Sequence, residues 1–80
     1  MKYVLFIKEV CPYCIKAKEL LTARDKNFKL IVFSEGQKEI LTEIKDAYEW
    51  PTVPMIFHVT ENAAINFIGG YTDLEKHLNG

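Results

Sequence analysis

The sequence predicts a single α/β domain over residues 1–80, with a four-stranded mixed sheet flanked by three helices in the order β-α-β-α-β-β-α. Three observations lead there. A nearly continuous apolar run of strand length, Lys2 to Lys8, gives way to helical periodicity from Pro12 onward. A second β-rich run, Phe28 to Phe33, is reached through that helix, which implies a parallel β-α-β unit with a right-handed crossover. The last two β-rich runs are joined by a short turn, which makes them an antiparallel hairpin.

Taken in order, the first helix runs from Pro12 to about Arg24, with Ala17, Leu20, Leu21 and Arg24 at helical spacing and Asp25-Lys26-Asn27 closing it. Ser34-Glu35-Gly36-Gln37 reads as a capping box, Ser34 accepting at the helix start and Gln37 reaching back. The second helix that follows presents Ile40, Leu41, Ile44, Ala47 and Tyr48 as its buried stripe. It ends at Trp50-Pro51, because a residue before proline avoids the α region. Met55 to Val59 forms the third strand, Thr60-Glu61-Asn62 the turn, and Ala64 to Ile68 the fourth strand, which Gly69-Gly70 breaks. Thr72-Asp73-Leu74-Glu75 is a second capping box, opening a last helix to about Asn79. His58 is expected on the solvent face of its strand, and His77 on a helix surface near a C-terminus, where a cation is favoured.

Composition narrows the function classes. Hydrophobic residues make up 49% and aromatics 12% of 80 residues, enough for one packed interior and not for a second domain. With a net charge of −1 and no basic stripe, neither nucleic acid nor an anionic membrane surface is an expected partner. The N-terminal apolar run is shorter than a membrane span or signal-peptide core and lacks a small-residue cleavage site, so a cytoplasmic, thiol-reducing location is expected.

The chemistry concentrates in Cys11-Pro12-Tyr13-Cys14, which holds the only 2 cysteines of the chain at a strand-to-helix junction. A CxxC beside a β-α-β pattern points to redox work of the thioredoxin-like kind. The first N–H groups of a helix lack internal partners and carry partial positive charge, so a thiolate at Cys11 is stabilised there. Pro12 suits the first helical position because the N–H it lacks would have gone unpaired. Lys8 adds a nearby cation. Such settings lower a cysteine pKa from about 8.5 to roughly 3.5–7.5, which makes Cys11 the attacking thiolate. Cys14, one turn further in and partly buried, is the resolving thiol. A zinc site would need His58 and His77 to complete the set, and their separation does not match H-x3–5-H spacing, so no metal is expected.

Three separated segments, Lys8-Glu9-Val10-Cys11-Pro12-Tyr13-Cys14, Thr52-Val53-Pro54 and Gly69-Gly70-Tyr71-Thr72-Asp73-Leu74, together resemble the dithiol glutaredoxins over essentially the whole chain. The resemblance implies a thioredoxin-like fold in which the cysteine loop, the loop before the third strand and the start of the last helix meet around bound glutathione. It implies a cis Pro54, which would turn the Val53 backbone to pair with the cysteinyl part of glutathione like an added strand. Thr72 and Asp73 would offer helix N-terminal N–H groups to the γ-glutamyl carboxylate, and Asp73 would accept from its ammonium. Lys8, Tyr13, Thr52 and Tyr71 complete the implied contacts. Trp50-Pro51 departs from the polar or basic residue that often precedes Thr-Val-Pro, leaving Lys8 and Lys45 as candidate partners of the glycyl carboxylate.

The function so implied is a glutathione-dependent thiol–disulfide oxidoreductase, monomeric, serving cell redox homeostasis through a redox-active Cys11–Cys14 disulfide. Its substrates would be protein disulfides and protein–glutathione mixed disulfides, with ribonucleotide reductase as a partner by family likeness. Two alternatives stand beside it: a carrier in which two chains and two glutathiones hold a [2Fe–2S] cluster, motivated by Trp50-Pro51, and a donor reduced by thioredoxin reductase.

Overall fold

In the computed structural model, which describes residues 2–79, β1 (Lys2–Lys8), α1 (Pro12–Ala23), β2 (Phe28–Phe33), α2 (Lys38–Ala47), β3 (Met55–Val59), β4 (Ile65–Gly69) and α3 (Tyr71–Asn79) follow the expected order. The sheet order is β2-β1-β3-β4. Strand β1 is parallel to β2, pairing Leu5 with Leu30, and antiparallel to β3, pairing Leu5 with Ile56. Strands β3 and β4 form the hairpin, with a register shift between Ile56 and Phe57.

Alternation along β1 sorts the two faces of the sheet. Tyr3 and Leu5 point toward α1 and α3, where they form the main core with Ala17, Leu21, Ile56 and Leu74. Cys14, Ala17 and Leu21, at i, i+3 and i+7, are the buried residues of α1. Arg24, expected on that stripe, is instead exposed at the C-cap, where its guanidinium donates to the Leu78 carbonyl and the Asn79 side chain. The opposite face carries an aromatic layer in which Phe57 packs 5.2 Å from Phe6, 5.2 Å from Tyr48 and 5.1 Å from Phe67.

Helices α1 and α2 end the same way. In α1, Lys26 N–H reaches the Leu21 carbonyl and Asp25 N–H the Thr22 carbonyl; in α2, Trp50 N–H reaches Lys45 and Glu49 N–H reaches Asp46. These paired bonds are Schellman motifs, with Asp25 (φ 57°) and Glu49 (φ 52°) in the left-handed position. The stop of α2 is therefore a turn that takes in Trp50 itself, with Pro51 directly after it.

The capping box forms as expected, Gln37 Oε1 accepting from Ser34 N–H at 3.0 Å, and the turn it opens is a 3₁₀ turn, Glu35–Gln37, that precedes α2. Three further expectations need correction. The stripe of α2 is narrower than its periodicity suggests: Leu41 is buried and Ile44 half-buried, whereas Ala47 is exposed and Ile40 and Tyr48 are 53% and 46% exposed. Strand β4 is displaced by one residue and takes in Gly69. Helix α3 starts at Tyr71, one residue before the expected box. Gly70 precedes it, its N–H held by Asp73 Oδ2 at 3.0 Å and its carbonyl accepting from Leu74 N–H at 3.0 Å. The reaching-back residue is thus Asp73 and not Glu75.

Candidate active site

Cys11 sits where β1 and its short connection deliver the chain to α1. Its extended backbone (φ −157°, ψ 106°) makes it the N-cap residue, and its sulfur fills the capping role that an oxygen usually takes. Sγ accepts from Cys14 N–H at 3.3 Å, with Pro12 leaving no competing donor. The same sulfur lies 3.8 Å from the Val53 carbonyl oxygen, across the cis Val53–Pro54 peptide. Both thiols are free; Cys11 is partly exposed and Cys14 buried.

That difference in burial separates their chemistry. Burial pushes the Cys14 thiol up to about 12, the hydrogen bond to Cys11 adding to it, and outweighs the backbone and charge of Lys8, which act in the opposite direction. Cys14 is therefore a neutral thiol throughout the physiological range. Treating the reduced chain with iodoacetamide near neutral pH should give a singly labelled product carrying the tag on Cys11, with Cys14 reacting only in unfolded chain or as pH approaches about 12. Peptide mapping by mass spectrometry checks this; prompt double labelling of folded protein would contradict it.

The remaining expected site residues divide by place. Tyr13 is exposed beside the thiols, its ring 6.2 Å from Tyr71 and 5.1 Å beneath the Lys16 ammonium. Thr52 is exposed, Val53 half-buried and Pro54 buried. Thr72 is exposed in the first turn of α3, where backbone N–H groups lack helical partners, and Asp73 is half-buried with one carboxylate oxygen on Gly70 N–H. Close approach holds this corner together. A Cβ on Gly70 would lie 3.6 Å from Trp50 Cζ2 and 3.8 Å from the Pro54 carbonyl oxygen.

Trp50 consequently backs the Gly69-Gly70 corner, its ring edge-on to Phe67 at 5.3 Å and its indole N–H buried with no partner among the described residues. Lys8 borders a different recess, a cavity of about 340 Å³ that it shares with Glu9, Ser34, Glu35 and Lys38. Lys38, at the start of α2, is the second lysine on that lining, whereas Lys45, expected there, lies on the last turn of α2, outside it. Only an expectation that the ends of β1 and α2 converge would have found Lys38.

A capped, partly exposed thiol with a buried second thiol one turn on, presented by this sheet order against a cis proline, defines the class as a thiol–disulfide oxidoreductase. The chain belongs to the glutaredoxin family, whose model matches residues 3–61. It is 35% identical over 85 residues to glutaredoxin-1 of Sus scrofa, covering 99% of this chain and 76% of that protein. It is also 33% identical over 74 residues to the hybrid peroxiredoxin hyPrx5 of Haemophilus influenzae, spanning 92% of this chain but only 28% of that longer protein. The solution structure of the dithiolic glutaredoxin 2-C-Grx1 of Trypanosoma brucei brucei superposes with a TM-score of 0.74 at 42% identity, covering 98% of this chain and 77% of that one. The fold is accordingly the thioredoxin-like one that the three sequence segments implied.

Proposed function

We propose that this chain uses glutathione to reduce protein disulfides and protein–glutathione mixed disulfides. The observation that carries the reading is the placement of the partly exposed Cys11 Sγ between the Cys14 N–H and the Val53 carbonyl, beside the cis Val53–Pro54 peptide. Cys11 thiolate attacks one sulfur of the substrate disulfide, the S–S bond breaks, and the departing thiolate takes a proton from solvent. For a protein disulfide, Cys14 then loses its proton and attacks Cys11 Sγ, releasing the second substrate thiol and closing a Cys11–Cys14 disulfide. One glutathione opens that disulfide as a mixed disulfide on Cys11, and a second removes it as glutathione disulfide. Glutathionylated substrates need Cys11 alone.

Glutathione would run along the Val53 backbone, with its γ-glutamyl end at Thr72 and Asp73 and its glycyl carboxylate toward Lys8 and Lys38; Tyr13, Thr52 and Tyr71 would flank it. The chain would act as a cytoplasmic monomer, with ribonucleotide reductase among the disulfide-bearing substrates. A buried thiol beside Cys11 favours disulfide cycling over a cluster-bridged dimer, which needs Cys11 uncommitted. Source of electrons is the testable point. NADPH oxidation with a disulfide substrate should be fast with glutathione plus glutathione reductase and slow with thioredoxin reductase alone; the reverse preference would overturn glutathione dependence.

A further inference from the structure

Toward the end of β3 away from Pro54, three rings from three elements meet: Tyr3 of β1, His58 of β3 and His77 of α3. His58 is half-buried rather than solvent-facing, stacked on Tyr3 with centroids 4.7 Å apart. His77 stands edge-on to Tyr3 at 5.9 Å, and the two imidazole centroids are 5.2 Å apart with planes at 61°. Disulfide exchange at Cys11 uses neither ring.

Paired imidazoles are the donors that late first-row divalent ions prefer. Two ring nitrogens bound at about 2.0–2.1 Å to one tetrahedral ion hold their ring centroids about 5 Å apart, the separation already present here. We propose that His58 and His77 form an open site for a single Zn²⁺-like divalent ion bridging β3 and α3.

Among the described residues no group of three or more His, Cys, Asp and Glu gathers around a metal position, so the site is not a closed structural one. Solvent would complete the shell, or the amide oxygen of Asn66, which pairs with His58 across the hairpin and lines a shallow cavity with His77 and Lys76. Lys26 and Lys76 oppose any cation there. Selectivity therefore falls to ions held by nitrogen, at the expense of Mg²⁺ and Ca²⁺, which take oxygen ligands. An ion in this position would clamp α3 onto the sheet and stabilise the fold by mass action.

The test uses the full, untagged chain with Cys11→Ser and Cys14→Ser, which removes thiolate ligands, titrated with Zn²⁺ or Ni²⁺ near neutral pH by calorimetry and followed by thermal unfolding. One ion per chain, micromolar affinity and a rise in Tm are expected. His77→Asn, at an exposed position that leaves the circular dichroism spectrum unchanged, should weaken binding at least about tenfold and remove the Tm rise. His58→Asn should do the same, but His77→Asn decides if that variant folds poorly. Absence of saturable one-to-one binding, or affinity unchanged in His77→Asn, would overturn the site.

Discussion

Cys11→Ser is expected to lose both disulfide reduction and deglutathionylation by at least about 10³-fold, because every step begins or passes through the Cys11 sulfur and a serine hydroxyl is a far weaker nucleophile near pH 7. The fold should survive. Cys11 is partly exposed, and a serine Oγ at the same N-cap accepts from Cys14 N–H at least as well as sulfur does. An unchanged melting temperature beside abolished turnover is therefore the expected pair of results, and substantial residual activity would move the nucleophile elsewhere.

Gly69→Ala should be strongly destabilising, more so than alanine at Gly36 or Gly70. Gly69 has φ +125°, where a side chain is strained, and its added Cβ would stand 2.6 Å from Asp73 Oδ2 and 2.8 Å from Asp73 Cγ. That same Oδ2 holds Gly70 N–H at the start of α3. Relief by rotating Asp73 gives up the cap, and relief by moving Gly69 pulls β4 from β3. Strain of about 1–3 kcal/mol and a lost cap of about 0.5–2 kcal/mol together suggest a loss of roughly 2–4 kcal/mol. For a domain of this size that lowers Tm by at least about 10 °C, measurable by calorimetry. Adding Asp73→Ala to Gly69→Ala removes the contacts to Oδ2 and Cγ but leaves the residue 73 Cβ at 3.1 Å and gives up the cap, so it should restore only part of the loss. A Gly69→Ala chain melting with wild type would show that the corner is not pinned as described.

How much of this was legible in the chain depends on whether the signal was local. Strands β1, β2 and β3 have the bounds their apolar runs predict, since length and composition alone set them. The start of α3 was not so determined. Thr72 to Glu75 and Gly70 to Asp73 are overlapping candidates, and a glycine N-cap is the weaker local signal; the close packing of Gly69 against Asp73 selects it in the folded chain. Periodicity in α2 was real, but a short helix resting chiefly on Leu41 leaves Ile40 and Tyr48 largely in solvent. Lys38 beside Lys8, Trp50 against Gly70, and His58 against His77 are all tertiary meetings of distant segments. No spacing rule encodes them. The cysteine motif, by contrast, carried its own structural context, because a strand, a proline and a helix start lie within a few residues of both sulfurs.

The division of labour between the two thiols is tested most directly by a coupled glutathione reductase assay on wild type and Cys14→Ser, run in parallel with a glutathionylated protein and with a protein disulfide. Cys14→Ser is predicted to keep deglutathionylation within a few fold of wild type while losing protein-disulfide reduction, leaving a trapped mixed disulfide on Cys11 visible by mass. Equal loss of both activities, or retention of both, would contradict the assignment of Cys11 as attacker and Cys14 as resolver.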